Sequence, residues 1–360
     1  MKNTDRALLA TALLAAVSVG CAQSTNVTPA PSPVSAQGSL VPSPIPAAPP
    51  DRWLGLIGEY DEKGRTWYVA EREGHLAIGD SAGRFTPLTE HGASMFALEE
   101  PLGPHDHSGT NVLIFTRDAD GRATAMKWGD RTLARRNIEP RAGTNQLRVV
   151  PVRPVAELRT EALAASPPAE PAAARAPELV ELVTLDPTIR LEVRYATTNN
   201  FLGEKFYDQG RAFMQRPAAE ALVRANRSLR SVGYGLLVHD AYRPWYVTKM
   251  FWDATPVDKH WLVANPAEGS KHNRGSAVDL TLYDLATGQP VEMPSTYDES
   301  TQRAYADYPG GTSRQHWYRA LLRRAMEAQG FIQNPQEWWH YDYRSWRDYP
   351  IGNVTFDKIR

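Results

Sequence analysis

Short runs in which apolar and polar residues alternate fill the first part of the chain, and a mixed pattern follows. Thr66–Ala70, His75–Ile78, Asn111–Phe115 and Gln146–Val150 each read as a half-buried strand. Asp61-Glu62-Lys63-Gly64 and Asp118-Ala119-Asp120-Gly121 stand between such runs as turns. Alternation broken by turn residues predicts a small all-β domain of hairpins over residues 51–158. From Leu179 the period changes. Gln215–Leu229 places Ala218, Leu222, Ala225 and Leu229 on one face of a helix. Tyr234–His239 reads as a buried strand. Val247–Phe251 and Trp317–Ala328 read as helices, the second closed by Gly330. Ser276–Tyr283 and the aromatic run Trp338–Tyr343 read as further strands. Helices on a small antiparallel or mixed sheet make this second part, residues 179–360, an α+β domain.

Composition adds the connections. Residues 22–50 are rich in Pro, Ser and Ala, which bury too little apolar surface to fold and stay extended as a tether. A second such stretch, residues 159–178, predicts a linker between the two domains. The N-terminus carries Lys2 and Arg6, then an apolar run from Ala7 to Val19, then Gly20 and the only cysteine, Cys21. That order is the pattern of an export signal. It resembles a bacterial lipoprotein signal, in which Cys21 is lipidated and anchors the chain in a membrane; an ordinary cleaved signal is the other reading. Either places the protein outside the cytoplasm, in the periplasm or cell envelope. Forty Lys and Arg against 41 Asp and Glu give no electrostatic case for a nucleic-acid partner, and no protein partner is evident.

The chemistry concentrates in two pieces, Ser270-Lys271-His272-Asn273-Arg274-Gly275-Ser276-Ala277-Val278-Asp279 and Glu337-Trp338-Trp339-His340. Together they offer His272, Asp279 and His340 as ligands, with Glu337 as a free carboxylate. Three protein ligands and an open fourth position suit catalytic rather than structural zinc, and a neighbouring carboxylate can take a proton from water. On a strand, Asp279 shares its face with the small residues Ala277 and Thr281, and Gly275 lets the chain turn between the first two ligands. Each piece alone has a blander reading: a surface His near a strand Asp, or an exposed acid beside a core His. Arg243, in Asp240-Ala241-Tyr242-Arg243-Pro244, suits stabilising an oxyanion, or else pairing with Asp240. His105-Asp106-His107 lies among Gly and Pro and reads as a solvated loop.

Taken jointly, Asp-x-Tyr-Arg-Pro, Ser-x-His-x-x-Gly-x-Ala-x-Asp and Glu-x-x-His in this order resemble the zinc D-Ala-D-Ala peptidases, and within them the D-alanyl-D-alanine dipeptidase group. Val193-Arg194-Tyr195-Ala196-Thr197-Thr198-Asn199-Asn200-Phe201 is similar to that group's opening segment, so the resemblance spans about residues 179–344. It implies one Zn²⁺ per domain on His272, Asp279 and His340. It further implies Glu337 as general base and then acid, and Arg243 polarising the scissile carbonyl. Ser270 matches a substrate-contacting serine, and Asp298 an aspartate that pairs with a substrate's free ammonium. The implied substrate is D-Ala-D-Ala or a peptidoglycan stem peptide. The group's usual Met-Gly before this aspartate is Met293-Pro294 here, which fixes φ and predicts a reshaped Asp298 loop. A carboxypeptidase or endopeptidase on longer peptides would use the same machinery. A non-catalytic peptidoglycan-binding protein would need neither Glu337 nor Arg243. The first domain resembles β-barrel-like modules appended to other bacterial hydrolases and is assigned no chemistry.

Overall fold

The computed structural model describes residues 44–99, 110–137 and 148–359. Cys21, the signal, most of the tether and His105-Asp106-His107 lie outside the described residues. After a short helix α1 (Asp51–Leu54) come eight strands: β1 (Gly58–Glu62), β2 (Arg65–Arg72), β3 (His75–Gly79), β4 (Phe85–Gly92), β5 (Met95–Leu98), β6 (Val112–Arg117), β7 (Ala123–Trp128) and β8 (Arg131–Arg135). Each pairs antiparallel with the next, and β8 returns to β1, closing a barrel. The first hairpin turns at Lys63 and Gly64, at φ 48° and 84°. Positive φ at both turn residues matches the right-handed twist of the flanking strands. Every second residue points inward, so Tyr60, Trp67, Phe96, Phe115 and Trp128 fill the interior. Trp67 and Trp128 meet edge to face at 5.1 Å. Trp67→Ala is expected to destabilise the barrel by about 3–5 kcal/mol, read as a lower denaturant midpoint.

The remaining chain builds a second core. Its main sheet runs β10 (Arg190–Leu191), β12 (Tyr234–Asp240), β13 (Ala277–Asp284), β15 (Glu337–Tyr343), β14 (Phe331–Asn334), in that order. The β10–β12 pair is parallel and the others antiparallel. β9 (Leu179–Glu181) pairs with β11 (Phe213–Gln215) beside it. Helices α3 (Leu182–Leu185), α4 (Arg216–Arg230), α5 (Trp245–Ala254) and α6 (Ser313–Glu327) complete the α+β arrangement. The sequence-derived α+β domain behind an all-β domain is therefore the observed fold. α6 begins with a capping box, Thr312 accepting from the Gln315 N–H while Gln315 caps in return.

The junction differs from the expectation. Residues 155–164 form helix α2 (Val155–Ala164), with Leu158 and Ala162 buried in the second core. Val149, read as part of a barrel strand, is buried in that same core and donates its N–H to Phe201 O. A composition of Ala and Pro describes local preference only, and a buried partner overrides it. Farther along, Glu170 accepts from Arg274 and Arg175 pairs with Asp348, so this stretch follows the surface of the second part. The barrel also docks on it directly. The Ser313 N–H at the start of α6 donates to Glu71 Oε2 at 2.8 Å, a favourable place for an acid. Arg72 donates to the carbonyls of Pro309 and Gly311.

Candidate active site

Two of the three candidate ligands sit on neighbouring strands of the main sheet, where pairing holds them together. Asp279 of β13 lies opposite His340 of β15 in register. His272 comes from a single 3₁₀ turn, His272–Arg274, just before β13. That turn ends at Gly275 with φ 66°, and a Cβ there would stand 2.5 Å from Leu179. Only glycine accepts both the left-handed conformation and the close approach.

The donor set is oriented for a cation. His272 Nδ1 lies 2.7 Å from Ala241 O and, as donor, leaves Nε2 with a bare lone pair. His340 Nε2 lies 2.9 Å from Asp342 Oδ1, which likewise frees Nδ1. These two nitrogens face one another at 3.2 Å, and His340 Nδ1 is 2.9 Å from Asp279 Oδ1. All three ligand atoms lie within 4.8 Å of one another. Two imidazole lone pairs and a carboxylate oxygen turned to one point, each imidazole fixed through its other nitrogen, fit a zinc ion and its supporting shell.

Without a cation, a proton must hold this cluster together. Burial opposes charge on His340, but the bonds to Asp279 and Asp342 outweigh it and raise its pKa to about 10. Burial also works against the Asp279 carboxylate, yet His272 and His340 hold its pKa well below the ordinary value. A raised His340 contributes stability that is complete below pH 6.5 and lost as pH rises through about 10. The Asp279 contribution is present above its ordinary 3.8 and fails only as pH falls through its depressed value. The zinc-free protein is therefore expected to lose melting temperature between pH 6.5 and about 10. The increment given by zinc should grow across the same window, since the metal displaces the proton. Scanning calorimetry with and without zinc measures both.

Glu337 opens β15. Its Oε2 is 3.7 Å from His340 Nδ1 and accepts from Asn334 Nδ2 at 2.8 Å. Residues three apart on a regular strand face opposite sides. Here the β14–β15 ladder shifts between Gln333, opposite Tyr341, and Asn334, opposite Glu337, and this irregularity brings Glu337 to the side of His340. Arg243 makes the pairing with Asp240 that one of its two sequence readings expects. Its Nε and Nη2 donate to Asp240 Oδ2 at 3.0 and 2.8 Å, while its side chain lines the same cavity as the triad. Burial opposes its charge and Asp240 more than offsets this, so its pKa lies above the ordinary value. Its guanidinium lies over the rings of Tyr195 and Phe251, at 5.2 and 4.9 Å.

Ser270 and Asp298 line this cavity as well, which measures about 820 Å³ and also takes in Arg136 from the barrel. Despite Pro294, the Asp298 loop reaches the site. Asp298 adopts φ 60°, and Tyr195 Oη donates to its carboxylate oxygens at 3.1 and 3.0 Å. Burial, followed by the charge of Asp279, pushes the Asp298 pKa well up. Such a carboxyl takes its charge most readily when a cation arrives beside it.

Sequence reasoning missed two tyrosines. Tyr297 Oη donates to Asp279 Oδ2 at 2.9 Å and stands 3.3 Å from Tyr195 Oη, forming a chain from the candidate ligand Asp279 to Asp298. Nothing local signals either contact, because Tyr195 and Tyr297 are 102 residues apart. Asp342 could have been found: it lies two residues beyond His340 on one strand face.

A buried His-Asp-His triad, two members on paired strands and the third on the turn before them, has the form of a single-metal hydrolase site. The chain belongs to the D-Ala-D-Ala dipeptidase family. The family described as D-ala-D-ala dipeptidase matches residues 175–351. A D-alanyl-D-alanine dipeptidase of Escherichia coli is 33% identical over 174 residues, covering 48% of this chain and 89% of the relative. Those of Enterococcus faecium and Enterococcus faecalis are 35% and 36% identical, covering 47% and 42% of this chain and 91% and 85% of the relatives.

Proposed function

We propose that this chain hydrolyses D-Ala-D-Ala to two D-alanines, with one zinc ion on His272, Asp279 and His340. The observation that carries the reading is the pair of imidazole lone pairs turned toward Asp279 with Glu337 beside them, in a chain of this family. Zinc in such a site acts as a Lewis acid and lowers the pKa of a water to about 7. Glu337 takes the proton of the attacking water and returns it to the leaving amine. Arg243 Nη1 has no partner among the described residues, so it can donate to the carbonyl oxygen as charge develops there. Asp298 receives the substrate ammonium, and Tyr195 holds that carboxylate in place. Ser270 contacts the remainder of the substrate.

The test is release of D-alanine from D-Ala-D-Ala by the zinc-loaded protein, set beside an N-acylated tripeptide ending in D-Ala-D-Ala. Release from the dipeptide alone supports the reading; silence on the dipeptide sinks it. Asp298→Asn is expected to raise KM for D-Ala-D-Ala by about 10-fold or more, since a charged partner is lost, and to leave any cleavage of the acylated peptide unchanged.

A second reading has its own support. A cavity of about 820 Å³ is sized for a ligand larger than a dipeptide, which favours carboxypeptidase or endopeptidase action on stem peptides. The working site of either activity would be the cell envelope, with the chain exported and anchored through Cys21. The sequence pattern from Lys2 to Cys21 supports that placement, and radiolabelled fatty-acid incorporation into Cys21 would test it.

A further inference from the structure

The loop from Pro294 to Arg303 divides the open face of the sheet into two chambers. Asp298 lines the catalytic cavity, whereas Pro294 and Tyr297 line a second one of about 690 Å³, closed on its other side by Leu54 and Ile57 at the edge of the barrel. This second cavity is built differently from the first. Arg194, His239, Thr281 and Arg303 converge on it. Arg194 Nε, Arg303 Nη1 and Thr281 Oγ1 are all buried without a hydrogen-bond partner among the described residues.

A buried polar atom without a partner is uncommon and calls for one that the fold itself does not supply. A guanidinium only donates, so the missing complement is an acceptor. Two guanidinium groups at one cavity make an anion the better acceptor, and their planar forks match a carboxylate. The neighbouring Glu192 does not satisfy both groups. It takes Arg194 Nη2 at 3.2 Å, leaving Nε without a partner among the described residues, while Arg303 spends Nε and Nη2 on Pro294 O at 3.0 and 2.7 Å, and Glu299, 3.5 Å from its Nε, does not reach Nη1. His239, packed 4.8 Å from the Tyr297 ring, is held neutral by burial, with its pKa near 4, so it can donate or accept. Leu54, Ile57 and Trp338 supply apolar wall, and Glu292 at the rim offers an acceptor for peptide N–H groups.

We propose that this second cavity binds a short peptide through its free carboxylate, with Arg194 and Arg303 as the anion-holding residues and Thr281 and His239 as further partners. The site is made jointly by the barrel and the catalytic region, which gives the barrel a role in ligand binding. The inference rests on this cavity and not on the dipeptidase reading.

Calorimetry on the zinc-loaded full chain tests it, using trialanine, trialaninamide and inorganic phosphate as probes. Trialanine is expected to bind. Arg194→Ala should weaken that binding by at least about tenfold, Arg194→Lys should restore part of it, and blocking the carboxyl as the amide should abolish it. Turnover of D-Ala-D-Ala by Arg194→Ala without added peptide should match that of the unaltered chain. Should Arg194→Ala melt early, Arg303→Lys, which keeps the charge and loses the fork, provides the same comparison. An isotherm identical in all variants would place trialanine in the catalytic cavity and overturn the proposal. So would an absence of binding up to the solubility limit, which leaves only water there, or binding of phosphate without trialanine. A chain inactive on the dipeptide that still shows Arg194-dependent binding would sink the dipeptidase reading and keep this one.

Discussion

Glu337→Ala is expected to reduce release of D-alanine from D-Ala-D-Ala by about 10²–10⁴-fold while leaving zinc bound. The magnitude is that of a positioned general acid–base group. Sparing of the metal follows from the geometry. The three ligand atoms that lie within 4.8 Å of one another come from His272, Asp279 and His340, and Glu337 is not among them. Its Oε2 stands 3.7 Å from His340 Nδ1 and is held by Asn334, outside the bonds that orient either imidazole. The His340–Asp342 and His272–Ala241 bonds persist in the variant, so the donor set stays aimed. Metal content by atomic absorption, measured beside turnover, separates the outcomes. Loss of zinc together with activity would make Glu337 a ligand. Retained turnover would remove it from the mechanism and leave another group to take the proton.

What could be read from the sequence follows the range of the interactions. His272, Asp279, Glu337 and His340 were legible because two strand-like segments each carry a ligand at recognisable spacing, and the strands pair as the period of two expects. The bend that carries Glu337 to the side of His340 was not legible, since it depends on the ladder shift against β14. Nor was the Tyr195–Tyr297–Asp279 chain, which joins three segments through tertiary packing alone. Hairpin turns announced an all-β region, but closure of β8 onto β1 is a long-range pairing that no turn records. The largest miss was at the junction. Its Ala and Pro composition suggested a spacer, yet Leu158 and Ala162 are buried in the second core. As a result the barrel is held against the catalytic region, where Glu71 and Arg72 engage the start of α6 and the loop before it.

Arg243→Ala is expected to lower kcat by about 10²–10³-fold, the usual effect of removing one oxyanion donor. The same change should also weaken the fold, and the two effects must be told apart. Arg243 and Asp240 are both buried and share two hydrogen bonds. Removing one partner of such a pair leaves an uncompensated charge, which costs about 3–5 kcal/mol. Among the described residues, Asp240 would keep only the Tyr207 hydroxyl, at 2.7 Å, as a close donor. Turnover is therefore measured well below the melting temperature of the variant, with zinc content checked. Arg243→Lys serves as the companion: it retains a positive charge for Asp240 but gives up the fork that lets one guanidinium face Asp240 and the carbonyl together. Recovery of stability without recovery of kcat in the lysine variant would assign Arg243 to both tasks. Unchanged kcat in the alanine variant, with stability lost, would reduce Arg243 to a structural partner of Asp240 and leave the developing oxyanion to the metal site alone.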